Sequence, residues 1–193
     1  MIQYPSGKKR KNNNGNSNLS SNRGMRLEED INISNTYYNT HNIAVVHKKP
    51  TPIQVVRVDY PARNKAKITE AYYRQASTTD YNGVFEGIAI DFEAKETKNK
   101  TAFPLSSLHE HQIDHFKAVI SHKAIAFLII RFTTLDETYL VYADEAINYI
   151  ENTKRKSIPY KWIQTQGHLI PYKYQIPCDY ISVIQAHRIE EKL

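Results

Sequence analysis

A chain of 193 residues, 40% of them hydrophobic, is long enough for one globular domain with a substantial core and too short for a large multidomain assembly. No run of about 18 apolar residues occurs, and the N-terminus lacks the apolar segment of a signal peptide, so we expect a soluble intracellular protein. Cys178 is the only cysteine. An intramolecular disulfide and a zinc site built from cysteines are therefore excluded.

The formal net charge of +6 is concentrated in two basic segments. Residues 1–23 contain five Lys or Arg and no acid, and residues 47–75 contain seven against Asp59 and Glu70, so the rest of the chain is net acidic. Clustered positive charge favours a polyanionic partner such as nucleic acid, although a solubilising tail and a solvated loop would look the same. The predicted DNA-binding residues of the second segment are Lys48, Arg57, Arg63, Lys65, Lys67, Tyr72 and Arg74, the tyrosine as a surface on which a base can stack.

The first half of the chain predicts a tail, a helix and a basic projection. Residues 1–23 are rich in Asn, Ser and Lys and have few apolar residues, so we expect disorder there. Leu27, Ile31 and Tyr38 follow a helical spacing and predict a helix over 25–39. Two β-branched runs at 43–47 and 53–58 predict strands, which the prolines between them keep apart. Residues 61–75 have no clean period and predict an extended or partly helical projection.

The second half alternates strands with helices. A turn at Asn82-Gly83 is predicted to precede a strand that ends at Lys95 and has one charged face. A helix over 106–122, capped by Ser106 or Ser107, is followed by a fully apolar strand over 124–132. A strand over 138–142, a helix over 144–151 and a further short helix over 159–164 complete the pattern. We expect a single domain over 24–193, with a mixed sheet flanked by helices.

The charged strand is the strongest candidate for chemistry. Glu93 and Lys95 are two residues apart and therefore share one face of a strand, and the predicted hairpin would bring Asp80 beside them. Two neighbouring carboxylates require a cation, which predicts an Mg²⁺ site, and Gln112 on the following helix could supply a further oxygen ligand. Lys95 would orient the attacking water or stabilise charge on the phosphate oxygens, as phosphodiester hydrolysis requires. A merely solvated strand face is the alternative.

A second cluster offers metal ligands of another kind. His111 and His115 are four residues apart on the predicted helix and could bind zinc, but His109 falls well away from His111 around the helix axis. Solvated histidines on an exposed helix are the commoner outcome. The chain contains neither a glycine-rich phosphate loop nor the elbow motif of a serine hydrolase.

Several segments together resemble one known family. Residues 78–83 read TTDYNG, residues 90–98 read IDFEAKETK and residues 103–105 read FPL; residues 47–52 read HKKPTP and residues 168–172 read HLIPY. The chain is similar in these segments, and over roughly residues 23–180, to the RecU family of bacterial Holliday junction resolvases. A match this broad is far more specific than the Glu-x-Lys pattern alone.

The resemblance implies a restriction-endonuclease-like fold of the PD-(D/E)xK type with a protruding basic stalk at about residues 52–75. It implies an Mg²⁺-dependent endonuclease, with Mn²⁺ as a possible substitute, that nicks four-way junction DNA symmetrically as a homodimer. Thr78, Asp80, Glu93 and Gln112 match the family's metal ligands, and Lys95 matches its transition-state stabiliser. Thr79 stands where the wider superfamily has proline before the aspartate, a departure that RecU proteins share.

The corresponding role is in homologous recombination and DNA repair. The expected location is the bacterial cytoplasm, at the nucleoid and not at a membrane, with a recombinase and branch-migration proteins as possible further partners. Two competing functions stay open at this point. One is a restriction-type nuclease with a sequence-specific site, and the other is a junction-binding or recombinase-modulating protein without catalysis.

Overall fold

The structure, a computed structural model, describes residues 25–74 and 78–190. The predicted basic tail at 1–23 lies outside the described residues. Within them, five α-helices are formed, at α1 Met25–Thr40, α2 Glu110–Ser121, α3 Ala143–Asn152, α4 Tyr160–Gln166 and α5 Tyr180–Glu190. The strands of the same residues are β1 Ala44–Lys48, β2 Ile53–Asp59, β3 Lys67–Tyr73, β4 Tyr81–Phe85, β5 Ile88–Thr97, β6 Ala102–Pro104, β7 Ile125–Phe132, β8 Glu137–Tyr142, β9 Ser157–Pro159 and β10 His168–Leu169.

Six strands form the central sheet, in the order β1-β4-β5-β7-β8-β10. β5 and β7 are parallel and are connected through α2, whereas the other neighbouring pairs of this sheet are antiparallel. A parallel pair needs such a crossover, because its second strand must start at the same end as the first. The predicted mixed sheet flanked by helices is confirmed.

The two faces of this sheet carry two separate cores. On one face, α1 and α5 cover a stack of aromatic rings in which Phe92 lies between Tyr81 and Phe127, with ring centroids 4.8 and 4.7 Å away. On the other face, Phe116 of α2 packs against the buried, alternating residues of β7. β7 is apolar on both faces for this reason, as expected of a strand covered on both sides.

The predicted turn at Asn82-Gly83 is wrong. Both residues lie inside β4, and the turn falls at Glu86-Gly87, which both have positive φ, at 49° and 79°. Such angles are those of the two-residue turn that joins antiparallel strands. Gly83 has a different purpose, because a Cβ at this position would lie 2.2 Å from the carbonyl oxygen of Val45 on β1. The glycine permits the close approach of two backbones.

Two further boundaries differ from the sequence predictions. α2 begins at Glu110, with His109 as its N-cap residue, and Ser106 and Ser107 belong to a short 3₁₀ turn before it. The helix that ends the described chain, α5, was not predicted. Its sequence is rich in β-branched residues, which favour strands, and its burial against the aromatic core overrides that preference.

β2 and β3 form a separate two-stranded ribbon, here called the stalk, over Ile53–Tyr73. Every residue of β3 is exposed, and of β2 only Val58 is partly covered. Two register shifts interrupt the pairing near Arg57, and they explain why the sequence of this segment shows no clean period. The stalk is an excursion between β1 and β4, which pair directly with each other in the central sheet.

Among the described residues, none of the helices combines the length and the apolar character that crossing a membrane would require.

Candidate active site

Asp80 and Glu93 meet where β4 begins and β5 approaches its end. Tyr81 pairs with Phe92 in the sheet, which sets the residues on either side of this pair next to each other. The backbone N–H of Asp80 donates to Oε2 of Glu93 at 3.0 Å, and the Asp80 carboxylate is close enough to interact with Glu93. The predicted proximity of the two carboxylates is present, although the turn that was expected to produce it lies four residues further on.

Lys95 shares the face of Glu93, as the two-residue spacing predicts. Its Nζ lies 2.7 Å from Oε1 of Glu93, and both side chains are largely covered. The ammonium group thus sits beside the carboxylate pair, within reach of an anion bound there. Asp80, Glu93 and Lys95, the three predicted catalytic residues, form one cluster.

The electrostatics of Glu93 are unusual for an acid. Its side chain is 1% exposed, and burial raises its pKa from 4.5 to about 7. The Asp80 carboxylate raises the pKa further, while Lys95 lowers it by its charge and its hydrogen bond. A buried acid beside a second acid holds a proton easily, and a bound cation would replace that proton.

The other two predicted ligands lie on the elements around this cluster. Thr78 stands two residues before Asp80, and its hydroxyl donates weakly to the carbonyl of Thr79 at 3.4 Å. Gln112 is buried in the first turn of α2, where its Oε1 accepts the backbone N–H of His109 at 2.9 Å. α2 runs back from β5 to the parallel β7, so its first turn lies toward the end of β5 that carries Glu93 and Lys95.

The donor set fits a hard divalent cation. Two carboxylates and a carboxamide oxygen are ligands that Mg²⁺ accepts, and Mg²⁺ is commonly bound through one or two carboxylates while it keeps several waters. The oxygens of Glu93 and Gln112 already accept protein hydrogen bonds, but each oxygen has a second lone pair. Within residues 25–74 and 78–190, no group of three or more His, Cys, Asp or Glu residues is arranged to hold a metal. His115, weighed above as a zinc ligand, instead contacts Asp91 at 3.1 Å.

One part of the site was missed by the sequence analysis. Asp91 is buried on the same strand face as Glu93, and it accepts hydrogen bonds from Lys49, Thr79 and His115. The signal that could have found it is the two-residue spacing, which places Asp91, Glu93 and Lys95 in one row. Lys49 was counted only as part of the basic segment.

The predicted DNA-binding residues lie along the stalk and at its base. Lys48 ends β1 and pairs with Glu28 of α1, whereas Arg57 lies on β2, 3.9 Å from Asp59. Tyr72 is 60% exposed, and its hydroxyl donates to Glu70 at 2.8 Å. Arg63 and Lys65 lie in the connection between the two strands, Lys67 begins β3 and Arg74 follows it. Five basic side chains against Asp59 and Glu70 leave the stalk positively charged along its length.

Comparison with known proteins identifies the family. The model of the family described as RecU, Recombination protein U, matches residues 22–186. The chain is 56% identical over 191 residues to the protein named Holliday junction resolvase RecU of Geobacillus kaustophilus, with 95% of this chain and 96% of the relative covered. It is 51% identical over 191 residues to the protein of the same name in Oceanobacillus iheyensis, with 95% and 97% covered.

Among solved structures, the chain is similar to the structure of the Holliday junction resolvase Hjc of Archaeoglobus fulgidus, with 11% identity and a TM-score of 0.46. This similarity covers 76% of the present chain and 96% of the other. A score this low supports no conclusion about function. The sequence matches extend over the stalk, the carboxylate cluster and both cores, and on that basis the chain belongs to the RecU family.

Proposed function

We propose that this protein is an endonuclease that resolves Holliday junctions by Mg²⁺-dependent, symmetric nicking in homologous recombination and DNA repair. The observation that carries the proposal is the cluster of Asp80, Glu93 and Lys95 at one end of the central sheet. The cluster occurs in a RecU family member whose relatives are named Holliday junction resolvases. Such a protein would work on chromosomal DNA in the bacterial cytoplasm.

Four residues would hold the metal ion: Asp80 and Glu93 through carboxylates, Gln112 through its carboxamide oxygen and Thr78 through an oxygen. When bound, Mg²⁺ supplies positive charge to the scissile phosphate and acidifies a coordinated water. The burial of Glu93 limits competing water at the site and strengthens each electrostatic contact. Its raised pKa means that metal binding displaces a proton near neutral pH.

Lys95 acts on the phosphate. Its ammonium group is held 2.7 Å from Glu93, so the side chain is already oriented before DNA arrives. A pre-oriented cation stabilises the charge that develops on the phosphate oxygens during attack by water, without a further cost of reorganisation. The same nitrogen also lies close enough to the carboxylates to orient that water.

The stalk would distinguish a junction from ordinary duplex. Its strands carry no share of either core, so its charged residues and its exposed Tyr60, Tyr72 and Tyr73 are available to DNA. Phosphate contacts supply affinity, and rings can stack on bases that a crossover exposes. Recognition of this kind depends on the shape of the DNA more than on base edges.

A homodimer would supply the symmetry of cleavage. Two identical sites related by one axis can reach two equivalent strands of a four-way junction. The chain offers exposed apolar surface for such an interface at Val45 and Val84, which are paired across β1 and β4 and are each about half exposed. The stalk adds Ile53, Val55, Val56 and Ile68. Sedimentation of the parent and of Val45→Glu tests the assembly, and a parent that sediments as a monomer would contradict it.

The activity test compares a linear duplex with a four-way junction, with and without Mg²⁺. We expect the parent to nick only the junction and only with Mg²⁺. Asp80→Asn and Glu93→Gln should lose cleavage and keep junction binding, because each removes a metal ligand but no basic surface. Glu151→Gln, an exposed acid on α3, is the matched control and should cleave normally. Cleavage of duplex at a fixed sequence would favour a restriction-type nuclease, and binding without cleavage a non-catalytic protein.

The stalk is tested by neutralising Arg63, Lys65 and Lys67 together. We expect a greater loss of affinity for the junction than for duplex, beyond the roughly one unit of salt slope lost for each phosphate contact. The matched control neutralises Lys154, Arg155 and Lys156, three exposed basic residues after α3. Equal losses on both DNA substrates would reduce the stalk to a general phosphate clamp.

A further inference from the structure

Asp91 is a buried carboxylate that the proposed mechanism does not use. Its Oδ2 accepts a hydrogen bond from Nζ of Lys49 at 2.9 Å. Its Oδ1 accepts one from the hydroxyl of Thr79 and one from Nε2 of His115, at 3.1 Å. The three donors come from three different segments of the chain. One acid thus links the end of β1, the segment before β4, and α2 to β5.

Each linked segment, apart from the end of β1, carries a proposed metal ligand. Thr79 lies between Thr78 and Asp80, and Asp91 lies two residues before Glu93 on β5. His115 lies three residues, or nearly one helical turn, after Gln112 on α2. Asp91 therefore contacts the direct neighbours of the ligands while contacting none of the four itself.

Lys49 strengthens the link at the least regular of these segments. Residues 78–80 precede β4 and lack the ladder of hydrogen bonds that a strand provides. The backbone N–H of Lys49 donates to the carbonyl of Asp80 at 2.7 Å, and its Nζ donates to the hydroxyl of Thr79 at 2.9 Å. Asp80 is thus fixed on one side by Glu93 and on the other by Lys49.

We propose that Asp91 is a positioning residue, which holds the three ligand-carrying segments in the arrangement that binds the metal ion. The inference rests on the proposed function, because it concerns the same metal site. Groups that orient metal ligands from outside the coordination shell typically change metal affinity or activity by 10-fold to 100-fold when they are removed. Asp91 has this position for every proposed ligand at once.

The test measures metal binding without catalysis, by calorimetric titration of the full-length protein with Mn²⁺. We expect Asp91→Asn to raise the dissociation constant for Mn²⁺ by 10-fold to 100-fold, with metal-free junction binding unchanged. Thr79→Val removes one donor at nearly constant shape and should weaken Mn²⁺ binding as well. Thr79→Ser keeps the hydroxyl and should restore the parent's affinity, which a purely structural role of this side chain would not require.

The matched control is Asp30→Asn. Asp30 is a largely covered acid that pairs with Arg131 at 2.6 Å, outside the network of Asp91. This variant should lose stability and bind Mn²⁺ as the parent does. Parent-like Mn²⁺ affinity in folded Asp91→Asn, or equal behaviour of the two Thr79 variants, would overturn the inference and leave the proposed function standing. Absence of Mn²⁺ binding in the parent would overturn both.

Discussion

Replacing Glu93 by glutamine should make the metal-free protein more stable while it abolishes cleavage. Glu93 is buried beside Asp80, and its pKa is raised from 4.5 to about 7. Above pH 7 the folded protein must hold this carboxylate charged in an unfavourable place, whereas the unfolded chain holds it charged in water. Stability is therefore greatest below about pH 4.5 as far as this group is concerned, and it falls as the pH rises through 7.

The size of the effect follows from the difference between the two pKa values. Each unit corresponds to about 1.4 kcal/mol, so the parent loses at most about 3 kcal/mol between pH 4.5 and pH 8 because of this group. Glutamine has no charge to bury, and Lys95, which is 19% exposed, can reach water when its partner is gone. At pH 8 we expect a gain of roughly 1–3 kcal/mol, or about 2–4 °C in Tm for each kcal/mol in a protein of this size.

The assay is urea unfolding in EDTA at pH 5, 6, 7 and 8, for the parent and the variant. The difference in the free energy of unfolding should be small at pH 5 and should widen toward pH 8. Saturating Mg²⁺ should stabilise only the parent and close the gap. Glu151→Gln, which changes an exposed acid, should show no such pH dependence. A Glu93→Gln protein that is less stable than the parent at every pH would refute the reasoning.

Three further expectations concern other positions. Lys95→Ala should lower cleavage by several orders of magnitude with an unchanged Mg²⁺ midpoint at pH 8.5, and an altered midpoint in junction-cleavage titrations would make Lys95 a structural partner of Glu93. Gly83→Ala should cost about 2–3 kcal/mol in urea unfolding, because its Cβ would meet the backbone of β1. Gly87→Ala, which has open space but a positive φ, should cost roughly 1 kcal/mol, and equal costs would contradict the close approach. Burial raises the pKa of the Cys178 thiol to about 12, so an aromatic disulfide reagent at pH 8 should modify it only on unfolding; rapid modification of the folded protein would show that this core opens.

The elements with strong periodicity could be predicted from the sequence. The helix at 25–39 and the apolar strand at 124–132 are confirmed within one residue at each end, because both bury a face that the pattern of residues displays. The Asn82-Gly83 turn was wrong because a glycine has two uses. It permits the positive φ of a turn, and it also permits the close approach of β1 that the structure requires here. Sequence alone does not separate the two.

The same distinction applies to the site. Glu93 and Lys95 follow from strand alternation, which is a local property. The network around Asp91 joins Lys49, Thr79 and His115, which are up to 66 positions apart in the chain, and only the folded topology brings them together. Its members were assigned separately, to the basic segment, the family motif and a possible zinc site. No local pattern relates them.

The place where the stalk joins the sheet has a mechanical consequence. The stalk departs after β1 and returns before β4, and the bond between the backbone of Lys49 and Asp80 closes the loop at its base. A load applied to the tip by bent DNA would reach the sheet through this base, where Asp80 lies, before it reached any other part of either core. The stalk is thus a lever whose fulcrum lies at the carboxylate cluster, and its length sets how far a distortion of the DNA is reduced at the site.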